Sequence, residues 1–227
     1  MAQKISVIIP AFNEEASIGL VLDALPRVLV HEVLVVNNGS TDRTAEVAAR
    51  HGARVIDEPR RGYGQACLTG IAHLDQPDIV VFLDGDYSDF PEELTELVEP
   101  IIKDKADLVL GTRMVLPESR KALLPQARYG NSLAVFLIRL FFKHRFTDLG
   151  PFRAIRYESL LSLGMRDRNF GWTVEMQIKA VREKLRILEI PVHYRERVGV
   201  SKITGTVSGT LKAGTKILYT IFRYLIT

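Results

Sequence analysis

Short apolar runs alternate with amphipathic stretches through the first half of the chain. The runs have the length and the β-branched content of strands buried on both faces of a sheet, and they cover residues 5–10, 32–36, 54–56, 79–83 and 108–111. Between them, apolar residues recur at helical spacing, as at Ile18, Val21 and Leu22. Strands that alternate with helices indicate right-handed βαβ units. We therefore expect an α/β fold with a mainly parallel, doubly wound sheet.

The alternation ends after Arg113. The pattern then predicts helices over residues 128–143 and 172–184 and a terminal amphipathic helix from about Val207. Residues 148–155 are predicted to be irregular or a strand, and residues 186–194 a strand broken at Pro191. The second half is therefore expected to depart from the regular βαβ alternation.

Composition narrows the class of protein. A single cysteine among 227 residues excludes an internal disulfide framework and fits a reducing compartment. No apolar run reaches about 18 residues, and the chain enters its first strand almost at once, so we expect neither a transmembrane helix nor a signal peptide. Residues 198–227 contain no acid but several lysines and an arginine. This charge favours a phosphate or a lipid headgroup as partner over nucleic acid, for which we find no binding motif.

Two carboxylates, Asp84 and Asp86, directly follow the apolar run over residues 79–83. Ligands bind open α/β sheets beyond the carboxyl ends of the strands, and Mg²⁺ or Mn²⁺ prefers oxygen ligands. The pattern therefore predicts a metal–diphosphate site, although two solvated aspartates in a turn fit a motif this short equally well. Gly62 and Gly64 half-match a dinucleotide fingerprint, which we interpret as a tight turn that opens a helix.

Six motifs, in order and with family spacing, resemble family-2 glycosyltransferases, and within that family the dolichyl- and polyprenyl-phosphate sugar transferases. They are residues 7–14, 35–42, 84–86, 111–113, 148–153 and 197–202. The resemblance implies a GT-A (Rossmann-like) fold, a UDP- or GDP-sugar donor, a divalent cation and inversion at the anomeric carbon. It implies a GT-A domain over residues 1–205, with a nucleotide-sugar and metal half (1–113) and an acceptor half (114–205). A C-terminal amphipathic helix over 206–227 follows.

The resemblance also implies roles for residues of the donor site. Its donor-binding set is Pro10, Ala11, Glu14, Asn37, Asp84, Asp86, Arg113, Arg197 and Lys202, in which Asp84 and Asp86 hold the metal. Asn37 and Asn38 replace two acids, the first of which touches the base in relatives, so the identity of the base stays open. Ser88 stands where the polyprenyl-phosphate group often has glutamine or histidine.

The catalytic set implied by the resemblance is Asp148, Arg113 and Lys202. The two cations would offset charge on the leaving diphosphate. Asp148 would act as a general base toward a hydroxyl acceptor, or would orient a lipid phosphate, which is already anionic. Glu175 is a second base candidate or a structural ion-pair partner, and Trp172 stacks on a sugar or belongs to the core.

The predicted function is transfer of a sugar to a polyprenyl phosphate by an inverting, metal-dependent enzyme. The alternatives are a soluble hydroxyl acceptor, a sugar-1-phosphate nucleotidyltransferase and a non-catalytic nucleotide-sugar binding module. The nucleotidyltransferase would need a glycine-rich loop after the first strand, which this chain lacks. The basic, apolar terminal helix predicts a cytoplasmic protein with peripheral contact on the inner face of the membrane; the alternative is a helix that packs in the core. The oligomeric state stays open.

Overall fold

The computed structural model describes residues 3–199 and 207–226. Its strands are β1 (Ile5–Ala11), β2 (Glu32–Asn37), β3 (Arg54–Asp57), β4 (Ile79–Phe82), β5 (Leu108–Thr112), β6 (Arg153–Arg156) and β7 (Ile187–Pro191). Its helices are α1 (Ile18–Ala24), α2 (Thr44–Arg50), α3 (Tyr63–Ala72), α4 (Leu94–Ile102), α5 (Pro117–Ala122), α6 (Pro125–Phe142), α7 (Tyr157–Leu163), α8 (Trp172–Arg182) and α9 (Val207–Ile226). A 3₁₀ turn over Pro91–Glu93 precedes α4. No helix in these ranges is long and apolar enough to cross a bilayer.

The seven strands form one sheet in the order β3-β2-β1-β4-β6-β5-β7. All neighbouring pairs are parallel except those of β6, which runs antiparallel between β4 and β5. The predicted mainly parallel α/β sheet is thus confirmed, and strands from both predicted halves of the chain belong to it. The position of β6 follows from tertiary pairing, because its four residues carry an arginine at each end and give only a weak strand signal.

Apolar side chains alternate between two helical layers. In β1, Val7 and Ile9 belong to the cluster that packs with α1 and α4, while Ile8 belongs to the cluster on the opposite face, with Phe82 and Trp172. Successive side chains of a strand point to opposite faces, so a continuous apolar run is required when both faces are covered. The runs that predicted the strands therefore also position the core.

Several helices differ from the prediction. The short helices α5 and α7 were not predicted, because six or seven residues give little periodic signal. Helix α6 begins at Pro125, which fits the first turn of a helix since proline has no N–H to donate. Helix α9 lies on α6 and α8, where Phe222 contacts Phe141 at 5.8 Å between ring centroids and Ile221 is fully buried.

Candidate active site

A cleft of about 330 Å³ opens beyond the carboxyl ends of β1, β2 and β4. Six of the predicted donor-binding residues line it, namely Pro10, Ala11, Glu14, Asp84, Asp86 and Arg197. Asn37, Arg113 and Asp148 are not part of its lining, and Lys202 lies outside the described residues. This is the position expected for a ligand site in an open α/β sheet, because the carboxyl ends of parallel strands meet at one edge.

The two aspartates after β4 differ in their surroundings. Asp86 Oδ1 accepts hydrogen bonds from the backbone N–H of Ser88 at 3.0 Å and from its hydroxyl at 2.5 Å. Asp84 Oδ1 is buried and has no hydrogen-bond partner. Burial and repulsion by Asp86 raise the pKa of Asp84 to about 7, against the opposing effects of the nearby Tyr63 hydroxyl and of Arg113 and Arg197. The cleft therefore holds one anchored carboxylate and one whose charge is poorly compensated.

Arg197 connects the two acidic sides of the cleft. Its Nη2 donates to Glu14 Oε1 at 2.8 Å, and its Nη1 lies 3.1 Å from Asp86 Oδ2. The backbone after Arg197 is also bound to the turn that contains Asp86, because the Val198 N–H donates a hydrogen bond to the Asp86 carbonyl oxygen at 3.0 Å. The segment after β7 and the turn after β4 thus form one structure, although they lie far apart in sequence.

Arg113 and Asp148 form a closed ion pair behind the cleft. Arg113 Nε and Nη2 donate to the two Asp148 oxygens at 2.8 and 2.9 Å, and the Arg113 backbone N–H donates at 2.9 Å. The Leu149 N–H donates to Asp148 at 2.7 Å. Burial alone would raise the pKa of Asp148, but these contacts with Arg113 outweigh burial and lower it. A carboxylate with its oxygens engaged and its pKa lowered is a weak base in this conformation.

A third carboxylate, Asp89, interacts electrostatically with Arg113 and was not predicted. Both of its oxygens are buried without a hydrogen-bond partner. Burial and the charge of Asp84 raise its pKa well above the usual range, against the attraction of Arg113. The only sequence feature that could have indicated Asp89 is its position three residues after Asp86. Within residues 3–199 and 207–226, no group of three or more metal-binding side chains converges.

The two asparagines after β2 have separate tasks. Asn37 Nδ2 donates to Asp57 at 2.8 Å and its Oδ1 accepts from the Ser40 N–H at 3.1 Å. Asn38 lines the cleft and binds the loop after β3. Its Nδ2 donates hydrogen bonds to the carbonyls of Glu58 and Arg60, and its Oδ1 accepts one from the Gly62 N–H. The side chain of Asn38 therefore shapes the cleft wall, which the sequence did not indicate.

Other parts of the lining also went unpredicted. The Arg61 guanidinium lies 3.6 Å from the centre of the Phe12 ring, and Asn169 and Phe170 also line the cleft. The loop before α8 can approach because α3 starts with glycines: a Cβ at Gly64 would lie 2.1 Å from the Asp167 carbonyl. The two glycines of the half-matched fingerprint serve this close approach as well as the turn.

Two further candidates lie in structural positions. The Glu175 carboxylate accepts from the N–H groups of Arg166 and Asp167, from the Tyr224 hydroxyl and from Lys179. Trp172 is fully buried, with its ring edge-on to Phe82 at 5.8 Å. These contacts match the structural alternatives for both residues, an ion-pair partner and a core aromatic.

Comparison with known proteins gives the family. Residues 6–164 match the model of glycosyl transferase family 2. An uncharacterised glycosyltransferase of Mycobacterium tuberculosis is 40% identical, covering 92% of this chain and 94% of the relative. A dolichyl-phosphate hexose transferase of Haloferax volcanii is 33% identical (88% and 86%). An undecaprenyl-phosphate mannosyltransferase of Micrococcus luteus is 31% identical (91% and 90%).

The fold also has solved counterparts. The structure of glucosyl-3-phosphoglycerate synthase from Mycobacterium tuberculosis, in complex with Mn²⁺, uridine diphosphate and glucosyl-3-phosphoglycerate, superposes with a TM-score of 0.76 at 23% identity. The match covers 97% of this chain and 80% of the synthase. The two chains therefore share a fold. The chain therefore belongs to glycosyl transferase family 2 and is a glycosyltransferase with a GT-A fold.

Proposed function

We propose that this enzyme transfers a sugar, with inversion, from a UDP- or GDP-sugar to a polyprenyl phosphate. The observation that carries the donor half of the proposal is the cleft itself, where two carboxylates and Arg197 face one another at the carboxyl edge of the sheet. The two curated relatives that are named for dolichyl-phosphate and undecaprenyl-phosphate transfer support the acceptor.

The donor set fits a divalent cation, Mg²⁺ or Mn²⁺. Asp84 Oδ1 is a buried oxygen without a hydrogen-bond partner, and a divalent cation would satisfy it by coordination. Asp84 and Asp86 would hold the ion, and Ser88 would keep the Asp86 carboxylate oriented. The bound ion would act as a Lewis acid that neutralises charge on the leaving diphosphate.

The cations of the chain would stabilise the same negative charge. Arg197 lies in the cleft lining, and its guanidinium can exchange the Glu14 and Asp86 oxygens for those of a diphosphate. Lys202 follows it closely in sequence, and its role is proposed from the family resemblance alone. Pro10, Ala11 and Phe12 would form the wall next to the nucleotide. Contact of Asn37 with the base is proposed from the family resemblance alone, since Asn37 does not belong to the lining of the cleft.

We assign Asp148 the orienting role. Its bidentate contact fixes the Arg113 guanidinium, whose field reaches Asp84 and Asp89. A polyprenyl phosphate is an anionic nucleophile, so it needs a cation to receive it and no strong base to activate it. An engaged Asp148 with a lowered pKa fits that acceptor better than it fits a neutral hydroxyl.

The acceptor would approach along a surface that we call the α6–α9 face. It exposes large apolar side chains, namely Leu133, Phe136 and Leu140 on α6 and Tyr219 and Phe222 on α9. Neither helix contains an acidic residue. Asn131 on α6 holds the loop of Asp148, since its amide contacts the Thr147 carbonyl and the Leu149 N–H. We therefore propose peripheral contact of this face with the inner side of a membrane.

Lys216 contributes less to this contact than its sequence position suggested. Its Nζ lies 2.7 Å from Asp167 Oδ2, so its charge is already paired inside the protein. Lys212 is exposed on the same helix. The outer face of α9 fits the membrane interpretation, and its inner face fits the alternative of a core-packing helix.

One observation favours a second acceptor class. The superposed synthase carries glucosyl-3-phosphoglycerate, a product with a soluble phosphate acid as its acceptor part. A soluble phosphorylated hydroxyl acceptor is therefore the alternative function. It predicts equal activity with and without lipid, whereas the polyprenyl-phosphate proposal requires the lipid.

The donor half is tested with Asp86→Asn. We expect Mn²⁺-dependent stabilisation by uridine or guanosine diphosphate, measured as a thermal shift, to disappear together with sugar transfer. Asp75→Asn removes the same charge from an exposed site and should leave both unchanged. Mn²⁺-dependent nucleotide binding that survives in Asp86→Asn would refute the metal assignment.

The acceptor half is tested by offering undecaprenyl phosphate in vesicles or 3-phosphoglycerate in solution with labelled UDP- or GDP-sugars. Label is expected in the lipid fraction. Phe136→Ser combined with Leu140→Ser should lower that transfer without altering nucleotide affinity, while Val28→Ser, at a fully exposed site elsewhere, should not. Label found only in the soluble fraction would establish the alternative.

A further inference from the structure

A second cavity, of about 370 Å³, lies between the end of α7 and the helices α8 and α9. It shares no lining residue with the donor cleft. Among the described residues, its lining includes the four cationic side chains of Arg166, Lys179, Arg182 and Arg223, together with Tyr224, and no acidic residue. We call it the basic cavity.

One carboxylate lies behind the wall of the basic cavity. Glu175 is almost fully buried, and its oxygens accept from Lys179 Nζ at 2.9 Å and from the Tyr224 hydroxyl at 2.7 Å. Lys179 also donates to the Gly164 carbonyl at 2.6 Å. The Glu175 carboxylate offsets the charge of Lys179. Arg166 and Arg182 form no ion pair within the part of the chain that the structure describes, so their positive charge faces the cavity uncompensated.

Two of the other cations, Arg182 and Arg166, differ in their contacts. Arg182 lies 5.8 Å from the Phe142 ring centre and 5.6 Å from that of Tyr224, and it donates to the Tyr224 carbonyl. The Arg166 side chain has no hydrogen bond or ion pair within the described part of the chain. These positive charges repel one another, and an anion bound in the cavity would be attracted by all of them and would relieve the repulsion.

We propose that the basic cavity binds the phosphate group of an anionic ligand, at a site separate from the donor cleft. Guanidinium groups match phosphate oxygens with paired hydrogen bonds, and Tyr224 adds an aromatic wall. The phosphate can belong to a soluble compound or to a lipid headgroup. Exposed apolar side chains at the same end of α9 favour the headgroup, since Phe222 is half exposed and Ile226 is 88% exposed.

The test compares Arg166→Gln combined with Arg223→Gln against a control that loses the same charge elsewhere. Arg50→Gln combined with Lys103→Gln is suitable, because both side chains are exposed and form only i,i+4 pairs with glutamates. Inorganic phosphate is titrated by calorimetry. Vesicles of phosphatidylglycerol and phosphatidylcholine, with pure phosphatidylcholine as the neutral reference, are tested by co-sedimentation. Neither assay contains nucleotide or Mn²⁺, so the result is independent of the proposed donor site.

Each lost charge-assisted contact should weaken binding by about tenfold, so the cavity variant should bind about a hundredfold more weakly than the control. Loss confined to anionic vesicles identifies a lipid headgroup, and loss confined to inorganic phosphate identifies a soluble ligand; both support the cavity. Equal binding by the two double variants, or no binding by the wild type in either assay, overturns the proposal. If the double variant unfolds, Arg166→Gln alone decides, because its exposed side chain has no structural partner.

Discussion

The substitution Asp84→Asn should stabilise the protein in the absence of metal while removing its metal site. Burial and Asp86 raise the pKa of Asp84 from 3.8 to about 7. Because each unit of pKa shift corresponds to about 1.4 kcal/mol, ionisation of Asp84 lowers the free energy of unfolding by at most about 4 kcal/mol. The residue is only half-buried, so water screens part of this cost and we expect a gain of about 2 kcal/mol in the free energy of unfolding. The amide can direct its Nδ2 toward the cleft.

The sign of the effect depends on pH. Between pH 4 and pH 7 the folded state holds a proton on Asp84 that the unfolded state has released, so the wild type loses stability as pH rises through this range. The advantage of Asp84→Asn should therefore be complete above pH 7 and close to zero at pH 4. Urea unfolding of both proteins at pH 8 and pH 4, with a chelator present, measures this difference.

The control is Asp75→Asn, which removes an exposed charge and should change neither value. With Mn²⁺ and nucleoside diphosphate added, the order should reverse, because only the wild type gains stability from the ligand. A variant that is less stable than the wild type at pH 8, or whose advantage is the same at pH 4, would show that Asp84 is not held under electrostatic stress.

Three further changes probe the surroundings of the cleft. Gly64→Ala would place a Cβ 2.1 Å from the Asp167 carbonyl, so it should destabilise the fold by several kcal/mol in urea unfolding, whereas Gly130→Ala, with open space around it, should be neutral or mildly stabilising. Asp148→Asn leaves the Arg113 guanidinium buried without its partner and should cost about 3–5 kcal/mol and most of the transfer rate; full transfer with equal stability would contradict the orienting role. The Thr69 hydroxyl is the main group that holds the pKa of Glu58 at about 2, against burial, so the stabilisation by Glu58 is complete above pH 4.5 and is lost as pH falls toward 2. Glu58→Gln should reduce the fall in the free energy of unfolding between pH 4.5 and pH 2. An unchanged fall would show that Glu58 does not contribute to the acid sensitivity.

Most of the architecture could be predicted from sequence, because it depends on local patterns. Runs such as residues 79–83 are apolar at every position, and only a strand covered on both faces requires that. Aspartates directly after such a run lie at the ligand-binding edge of a parallel sheet, whatever the details of the loops. The sheet, the edge at which the cleft lies, and the positions of Asp84 and Asp86 follow from these two rules. The other predicted residues of the lining were implied by the family resemblance, namely Pro10, Ala11, Glu14 and Arg197.

Tertiary structure alone determined the contacts between distant segments. The antiparallel insertion of β6 depends on pairing with β4 and β5, and four residues with arginine at both ends do not encode it. The bidentate contact of Asp148 with Arg113, and the bridge from Arg197 to Glu14 and Asp86, join residues from different motifs. The basic cavity collects its cations from α8, α9 and the loop between α7 and α8. Local patterns specify the elements because each depends on its neighbours in sequence, whereas pKa shifts and pockets arise from charges and surfaces that meet only once the chain has folded.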